Sequence, residues 1–249
     1  MIHLKSEKEI EKMAQAGAKL ARVLQRVKSI VRPGIQTQEL NQRAEELILA
    51  EGARPNFKGY QGFPAALCTS LNTVAVHQPP GEYRLKEGDV LSLDIGLDDN
   101  GFQSDMAISV GVGQVKPSVQ KLMDTTQEAL HRGIEAAQPG NRLGDIGFAV
   151  QSYVEQQGFS VIKELTGHGI GRDLHEKPDV FNFGQRGEGL MIQPGLVICI
   201  EPIISAGSAK IELGLDGFSY QTVDGSLSAH FEHMLAVTSQ GPRILTELK

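Results

Sequence analysis

The sequence predicts an α+β fold in which a unit of two helices followed by antiparallel strands occurs twice. Apolar residues recur at helical spacing in two pairs of segments, and each pair is followed by alternating, β-branched segments bounded by glycine and proline. The pairs also stop at matching signals. Laying Pro33-Gly34 over Pro139-Gly140 lays Gly52 over Gly158 without a gap, and sets Leu40, Ala44 and Ile48 on Ile146, Val150 and Val154. One further residue of offset lays Gly88 over Gly195 and Asp94 over Glu201. An internal duplication accounts for these matches together. Chance pairing of Pro-Gly dipeptides would account for the first alone.

The elements follow in order. Ser6 and Glu9 have the spacing of a capping box. Ile10, Met13, Leu20, Leu24, Val27 and Val31 then keep helical period up to Pro33-Gly34. A second helix is expected over 37–51, closed by Gly52. Strands are expected over 67–70, 73–77 and 90–97. Asp98-Asp99-Asn100-Gly101 reads as a hairpin turn, with 102–112 returning as a strand. The second unit repeats the plan: a helix over 119–137, a helix over 143–157 ended by Gly158, then strands. No low-complexity stretch or linker separates the halves. One domain over 1–249 is expected, with pseudo-repeats over roughly 5–112 and 117–240.

Composition narrows the function. The chain has 249 residues, 40% hydrophobic and 22% charged, which suits a globular protein with a sizeable core. A net charge of −6 gives no general attraction to nucleic acid or acidic membranes. No apolar run reaches the roughly 20 residues of a membrane helix. The segment 1–11 is charged and lacks the apolar stretch of a signal peptide, so a cytoplasmic protein is expected. Cys68 and Cys199 each lie in an apolar stretch and read as buried free thiols.

Acids in apolar strands carry the chemistry. Asp94 and Glu201 end matching runs, Val90-Leu91-Ser92-Leu93 and Val197-Ile198-Cys199-Ile200. A buried carboxylate is expensive unless paired, hydrogen-bonded or bound to a metal. A four-residue turn at 98–101 sets Leu97 against Phe102 and Asp94 directly opposite Asp105. Like charges at that separation destabilise a sheet unless a cation lies between them. No basic residue stands on these strands to pair with them. His168 sits between glycines in Thr166-Gly167-His168-Gly169-Ile170-Gly171, a setting that lets a ligand approach the imidazole. Glu232 lies in the strand-like Ala229-His230-Phe231-Glu232-His233-Met234, where His230 and His233 read equally well as surface residues. His175 falls on a loop.

Asp94, Asp105, His168, Glu201 and Glu232 make an oxygen-rich set that favours catalytic Mn²⁺, Fe²⁺, Co²⁺ or Zn²⁺ over structural zinc. Four negative charges exceed what one divalent ion needs, and two ions sharing carboxylates balance them better. Such a pair activates water and polarises a carbonyl, which points to metal-assisted hydrolysis.

With these residues in place the chain resembles the type I methionine aminopeptidases of the pita-bread metallopeptidase family. The likeness runs from Ile10-Glu11-Lys12-Met13 to Glu232-His233 and includes Gly62-Phe63-Pro64, Asp94, Asp105, Gly167-His168-Gly169, Glu201-Pro202 and Glu232-His233. It implies a curved antiparallel sheet flanked by helices. It also implies two divalent ions, with Asp94 on one, Asp105 and Glu232 bridging both, and His168 and Glu201 completing the other. Glu201 would relay a proton towards the leaving amine. His77 and His175 would contact the scissile peptide as hydrogen-bond donors to developing negative charge. Tyr60, Phe63, Cys68 and Phe218 match positions that line a methionine side-chain pocket, and plain core packing would account for them equally. The partner implied is the N-terminal methionine of nascent chains and peptides, with a ribosome contact and a monomeric protein. The chain departs from the family at Gln61, where His is usual, and at Gln78-Pro79-Pro80 after His77, where Gly is usual. It departs again at Phe218, where bacterial members commonly carry Trp. All three positions are expected near the substrate pocket, and none is a metal ligand.

Two other readings stand beside this one. An X-Pro dipeptidase of the same fold usually carries an extra N-terminal domain, for which the chain has no room. A non-catalytic peptide-binding homologue would typically lose metal ligands, and all five are filled here.

Overall fold

The computed structural model describes residues 2–248; Met1 and Lys249, the ends of the expected domain, lie outside the described residues. Helix α1 (Glu7–Lys28) begins at the expected cap, where Ser6 Oγ accepts from the Glu9 amide and the Glu9 carboxylate accepts from the Ser6 amide. It closes at Lys28, short of Val31. Pro33 has no amide hydrogen and disfavours helical backbone just before it, so the last turn unwinds early. Ile30 and Val31 still pack on the core from that turn. Helices α2 (Thr37–Ala50), α3 (Pro117–Ala136) and α4 (Leu143–Gln156) lie within a few residues of expectation, with Pro117 at the first helical position.

The strands are β1 (Arg54–Pro55), β2 (Leu67–Leu71), β3 (Val74–Val76), β4 (Val90–Asp99), β5 (Phe102–Gly111), β6 (Ser160–Val161), β7 (Gly167–Gly169) and β8 (Glu176–Val180). They continue as β9 (Val197–Ile200), β10 (Ile203–Ser205), β11 (Ile211–Leu213), β12 (Tyr220–Thr222), β13 (Ser228–His230), β14 (Glu232–Thr238) and β15 (Gly241–Ile244). A nine-stranded sheet runs in the order β1-β4-β5-β14-β9-β7-β8, with β2 on β4 and β15 on β14. The ladders from β2 to β8 are all antiparallel. Two three-stranded sheets, β13-β10-β6 and β11-β12-β3, complete the fold. No helix among the described residues is long and apolar enough to cross a membrane.

The β4–β5 hairpin corrects the expected register. Asp99 pairs with Phe102, so the turn is the two residues Asn100 and Gly101, both at positive φ (55° and 79°). That is the primed turn whose twist matches the strands it joins, and Asn-Gly is its strongest sequence signal. Asp94 therefore faces Ala107, and Asp105 faces Gly96; the two acids are diagonal, not opposed. The shift is an even number of residues, so both remain on one face of the sheet.

The two faces have different occupants. Leu91, Leu93, Ile95 and Leu97 pack under α1 and α2, while Ile198, Ile200, Leu235 and Val237 pack under α3 and α4. The opposite face carries Cys68, Val197, Cys199, Met234 and Ala236, in one cluster with Ile10 and Met13 from the first turns of α1. The halves also share local hydrogen bonding. Gly34 donates to the Leu85 carbonyl at 2.7 Å, and Gly140 to that of Ile192 at 2.9 Å. Single bridges join Gln36 to Arg84 and Arg142 to Met191. Glu39 accepts from the Gln36 amide at 2.9 Å, and Asp145 from that of Arg142 at 2.7 Å.

Candidate functional site

Alternation along strands puts the candidate residues together. Cys68 on β2 faces Asp94 on β4; Asp94 faces Ala107 on β5; Ala107 also faces Glu232 on β14. Asp105 lies one alternation from Ala107, on the same side. Cys199 on β9 faces Met234, one alternation from Glu232. Gly169 faces Ile198, which turns its neighbour His168 to the side of Cys199. Glu201, just past the end of β9, continues that side. The site is thus one face of one sheet, the face opposite the one that packs under the two helix pairs.

Donor atoms of Asp94, Asp105 and Glu232 lie within 4.8 Å of one another, as do those of His168, Cys199 and Glu232. His168 Nε2 is 3.6 Å from Glu201 Oε1 and 3.9 Å from Asp105 Oδ2. Its Nδ1 lies 2.9 Å from the Gly169 carbonyl oxygen, which accepts a hydrogen bond from it. That bond leaves the Nε2 lone pair turned towards the acids, as a metal ligand requires.

The electrostatics fit a cation. Burial raises the carboxyls of Asp105, Glu201 and Glu232 well above their ordinary range, and their negative neighbours raise them further. Burial pushes Asp94 up to about 7. Asp94 Oδ1, Asp105 Oδ1 and Glu232 Oε1 are buried without any hydrogen-bond partner. Orphaned carboxylate oxygens converging on one imidazole lone pair suit divalent ions.

The acids form the inner end of a cleft of about 390 Å³. Tyr60, Phe63, Cys68 and Phe218 line it, as do His77 and His175. Phe63 and Phe218 meet edge to face at 5.6 Å. Tyr60 Oη lies 2.7 Å from His175 Nδ1, and the His175 ring stands 4.3 Å from that of His168. Burial holds His77 down at about 4 and lowers His175 as well, so both imidazoles are neutral near pH 7. His77 follows β3 at φ 61°, a left-handed conformation that turns its chain away from the strand.

The five expected ligands, His77, His175 and the four pocket residues thus all line this one cleft. Three sequence readings change. Of the three departures, Gln61 and Phe218 line the cleft, but Gln78 turns away: its side-chain oxygen accepts from the Leu71 amide at 2.9 Å. His230 is 2% exposed, not a surface residue, with Nε2 3.7 Å from Glu201 Oε2. The glycines beside His168 serve strand packing. A β-carbon on Gly167 would collide with the Cys199 carbonyl oxygen, and one on Gly169 with that of Lys177. Leu174 in the cleft wall and Cys199 among the donors were missed. For Cys199 the signal was present: it stands two residues before Glu201 on a strand, and so shares its face.

This arrangement has relatives. The pattern of metallopeptidase family M24 matches residues 11–239. The chain is 48% identical over 249 residues to a methionine aminopeptidase of Clostridium perfringens, covering 100% of both chains. It is similar to the crystal structure of methionine aminopeptidase from Rickettsia prowazekii, at a TM-score of 0.98 and 40% identity, covering 99% of this chain and 100% of that one. The prolidase of Pyrococcus horikoshii shares the fold at a TM-score of 0.80 but only 20% identity, with 99% of this chain covering 64% of that one. Buried acids around an imidazole, on a sheet of this topology and under this sequence pattern, have one reading: the chain belongs to metallopeptidase family M24.

Proposed function

We propose that this protein is a metal-dependent aminopeptidase that hydrolyses the N-terminal methionine from newly made proteins and peptides with a small second residue. The observation that carries the reading is the set of buried, unpartnered carboxylate oxygens at the inner end of a cleft walled by Phe63, Cys68 and Phe218. An unbranched thioether side chain suits such an apolar, sulfur-bearing wall. The full-length likeness to methionine aminopeptidases supports the same substrate.

Asp94, Asp105, His168, Glu201 and Glu232 would hold two divalent ions; Co²⁺, Mn²⁺, Fe²⁺ and Zn²⁺ all suit the donors. When bound, such ions supply Lewis acidity that polarises a carbonyl and makes water a stronger nucleophile. The protein's own groups do the rest. Glu201, whose Oε1 lies 3.6 Å from His168 Nε2 at the inner end of the cleft, would take a proton from the attacking water and return it to the leaving amine. Neutral His77 donates a hydrogen bond to the oxyanion. His175 does the same through Nε2–H when the Tyr60 hydroxyl donates to its Nδ1. The matched hydrogen bonds of the two halves support a single domain that arose by duplication.

The test is release of methionine from Met-Ala and Met-Gly peptides across a series of Mn²⁺, Fe²⁺, Co²⁺ and Zn²⁺, beside Xaa-Pro peptides. Met release that disappears in His168→Ala is expected. No release with any ion, or preferential cleavage of Xaa-Pro, overturns the reading.

A further inference from the structure

The cleft runs between two apolar walls, and a methionine side chain needs only one. Phe63, Cys68 and Phe218 belong to one cluster of apolar side chains, while Val76, Leu165 and Tyr220 belong to another. All six line the cleft. Val76 and Tyr220 stand on the small sheet β3-β12-β11. Val76 pairs with Tyr220, and Tyr220 with Leu213, so three side chains form one row across its strands. Leu213 lines the cleft as well. The neighbouring cross-strand pair is polar and takes the other face, where Gln221 Nε2 donates to Glu212 Oε1 at 2.9 Å. The row starts beside the reacting groups: Val76 precedes His77, and the Tyr220 ring lies 6.2 Å from the His77 ring. It ends in solvent. Val76 is 2% exposed, Tyr220 is partly buried and Leu213 is 54% exposed.

We infer that Tyr220 and Leu213 form a subsite for the third and fourth residues of the substrate chain, and that it selects apolar side chains there. Neighbouring strands lie about 4.8 Å apart, so the row runs about 10 Å from Val76 to Leu213. An extended chain covers that distance in about three residues, at roughly 3.3 Å each. With the scissile carbonyl within reach of His77, the chain passes Tyr220 and reaches Leu213 by its fourth residue. Successive side chains of an extended chain point to opposite sides, so one of the two faces the row. An apolar side chain there covers the exposed leucine and removes apolar surface from water, which a serine does not. The inference rests on the aminopeptidase reading.

Methionine release from Met-Ala-Leu-Leu-Gly and Met-Ala-Ser-Ser-Gly by the metal-loaded enzyme tests it. The wild type should show a kcat/KM at least about threefold higher for the leucine peptide. Leu213→Ser should bring the two values together, and serine is tolerated at so exposed a position. Leu49→Ser, at a leucine 56% exposed on α2 and outside the cleft, should keep the wild-type preference. Equal release from both peptides by the wild type overturns the inference and spares the aminopeptidase reading. So does a preference that survives in Leu213→Ser or collapses in Leu49→Ser. No methionine release from either peptide with any of the four ions overturns both.

Discussion

Asp94 and Glu232 flank the same residue: each is the cross-strand partner of Ala107, one from β4 and the other from β14. Adjacent strands lie about 4.8 Å apart, so the two carboxylates rise on either side of a fully buried methyl group. Only a small side chain leaves the room between them open. Ala107→Val should fill it. The variant should fold with a loss of about 1–3 kcal/mol and bind less metal, as measured by denaturant unfolding and dialysis. Unchanged metal stoichiometry would show that Ala107 does not bound the site.

Metal should stabilise the protein more at pH 8 than at pH 5. The site carboxyls are raised above the unfolded range of about 4. Their favourable contribution is complete below that range, where they are protonated in both states. It is lost as pH rises towards their folded values, because the apo protein must then keep its protons or bury charge. A bound cation reverses the penalty. Melting curves with and without chelator at both pH values check this, and an equal shift at each would count against it.

Lys5 and Glu176 form a largely buried ion pair at 2.6 Å that ties the N-terminal segment to the loop bearing His175. Burial works to raise the Glu176 carboxyl, but Lys5 and the amides of Arg172 and Asp173 outweigh it and hold it low. A lowered carboxyl adds stability above the unfolded range and loses it as pH falls through the folded value. Glu176→Gln should cost about 3–5 kcal/mol, because it strands Lys5 without a partner. Lys5→Met should cost less, since Glu176 keeps its two amide donors. Urea unfolding of both variants decides the order.

Asp216 shapes the pocket wall from behind. It accepts from the amides of Phe218 and Ser219 at 2.9 and 2.8 Å and from the Ser219 hydroxyl, fixing the turn that presents Phe218 to Phe63. Asp216→Ala should loosen that turn. A rise of several-fold in KM for Met-Ala with kcat little changed is expected, because the reacting groups stay in place. A matching fall in kcat would place Asp216 closer to the chemistry.

Much of this was legible in the sequence because β-structure has a period of two. Asp94 and Asp105 share a face under either turn length, so a wrong register still found the right pair. Capping at Ser6 and the stops at Gly52 and Gly158 depend only on neighbours in the chain. Burial of His230 was not legible, since it depends on how β13 packs against β10. The turn of Gln78 away from the cleft depends on its bond to the Leu71 amide, which no pattern announces. Nor was the approach of β12 to β3, which sets Tyr220 beside Val76 and brings Phe218 to the cleft.

Seating nearly all the donors on one sheet face divides the molecule's work between a floor and a rim. The floor is held by antiparallel ladders and by glycines that admit no side chain, so it deforms little. The rim is made of separate pieces, the 3₁₀ turn Tyr60–Gly62 and the hairpin of β11 and β12, which contribute no donor. Those pieces can be exchanged or lengthened while the floor stays as it is. New selectivity in a chain of this kind therefore has a natural entry point in Gln61 and Phe218, where substitution alters what is admitted and leaves the chemistry standing.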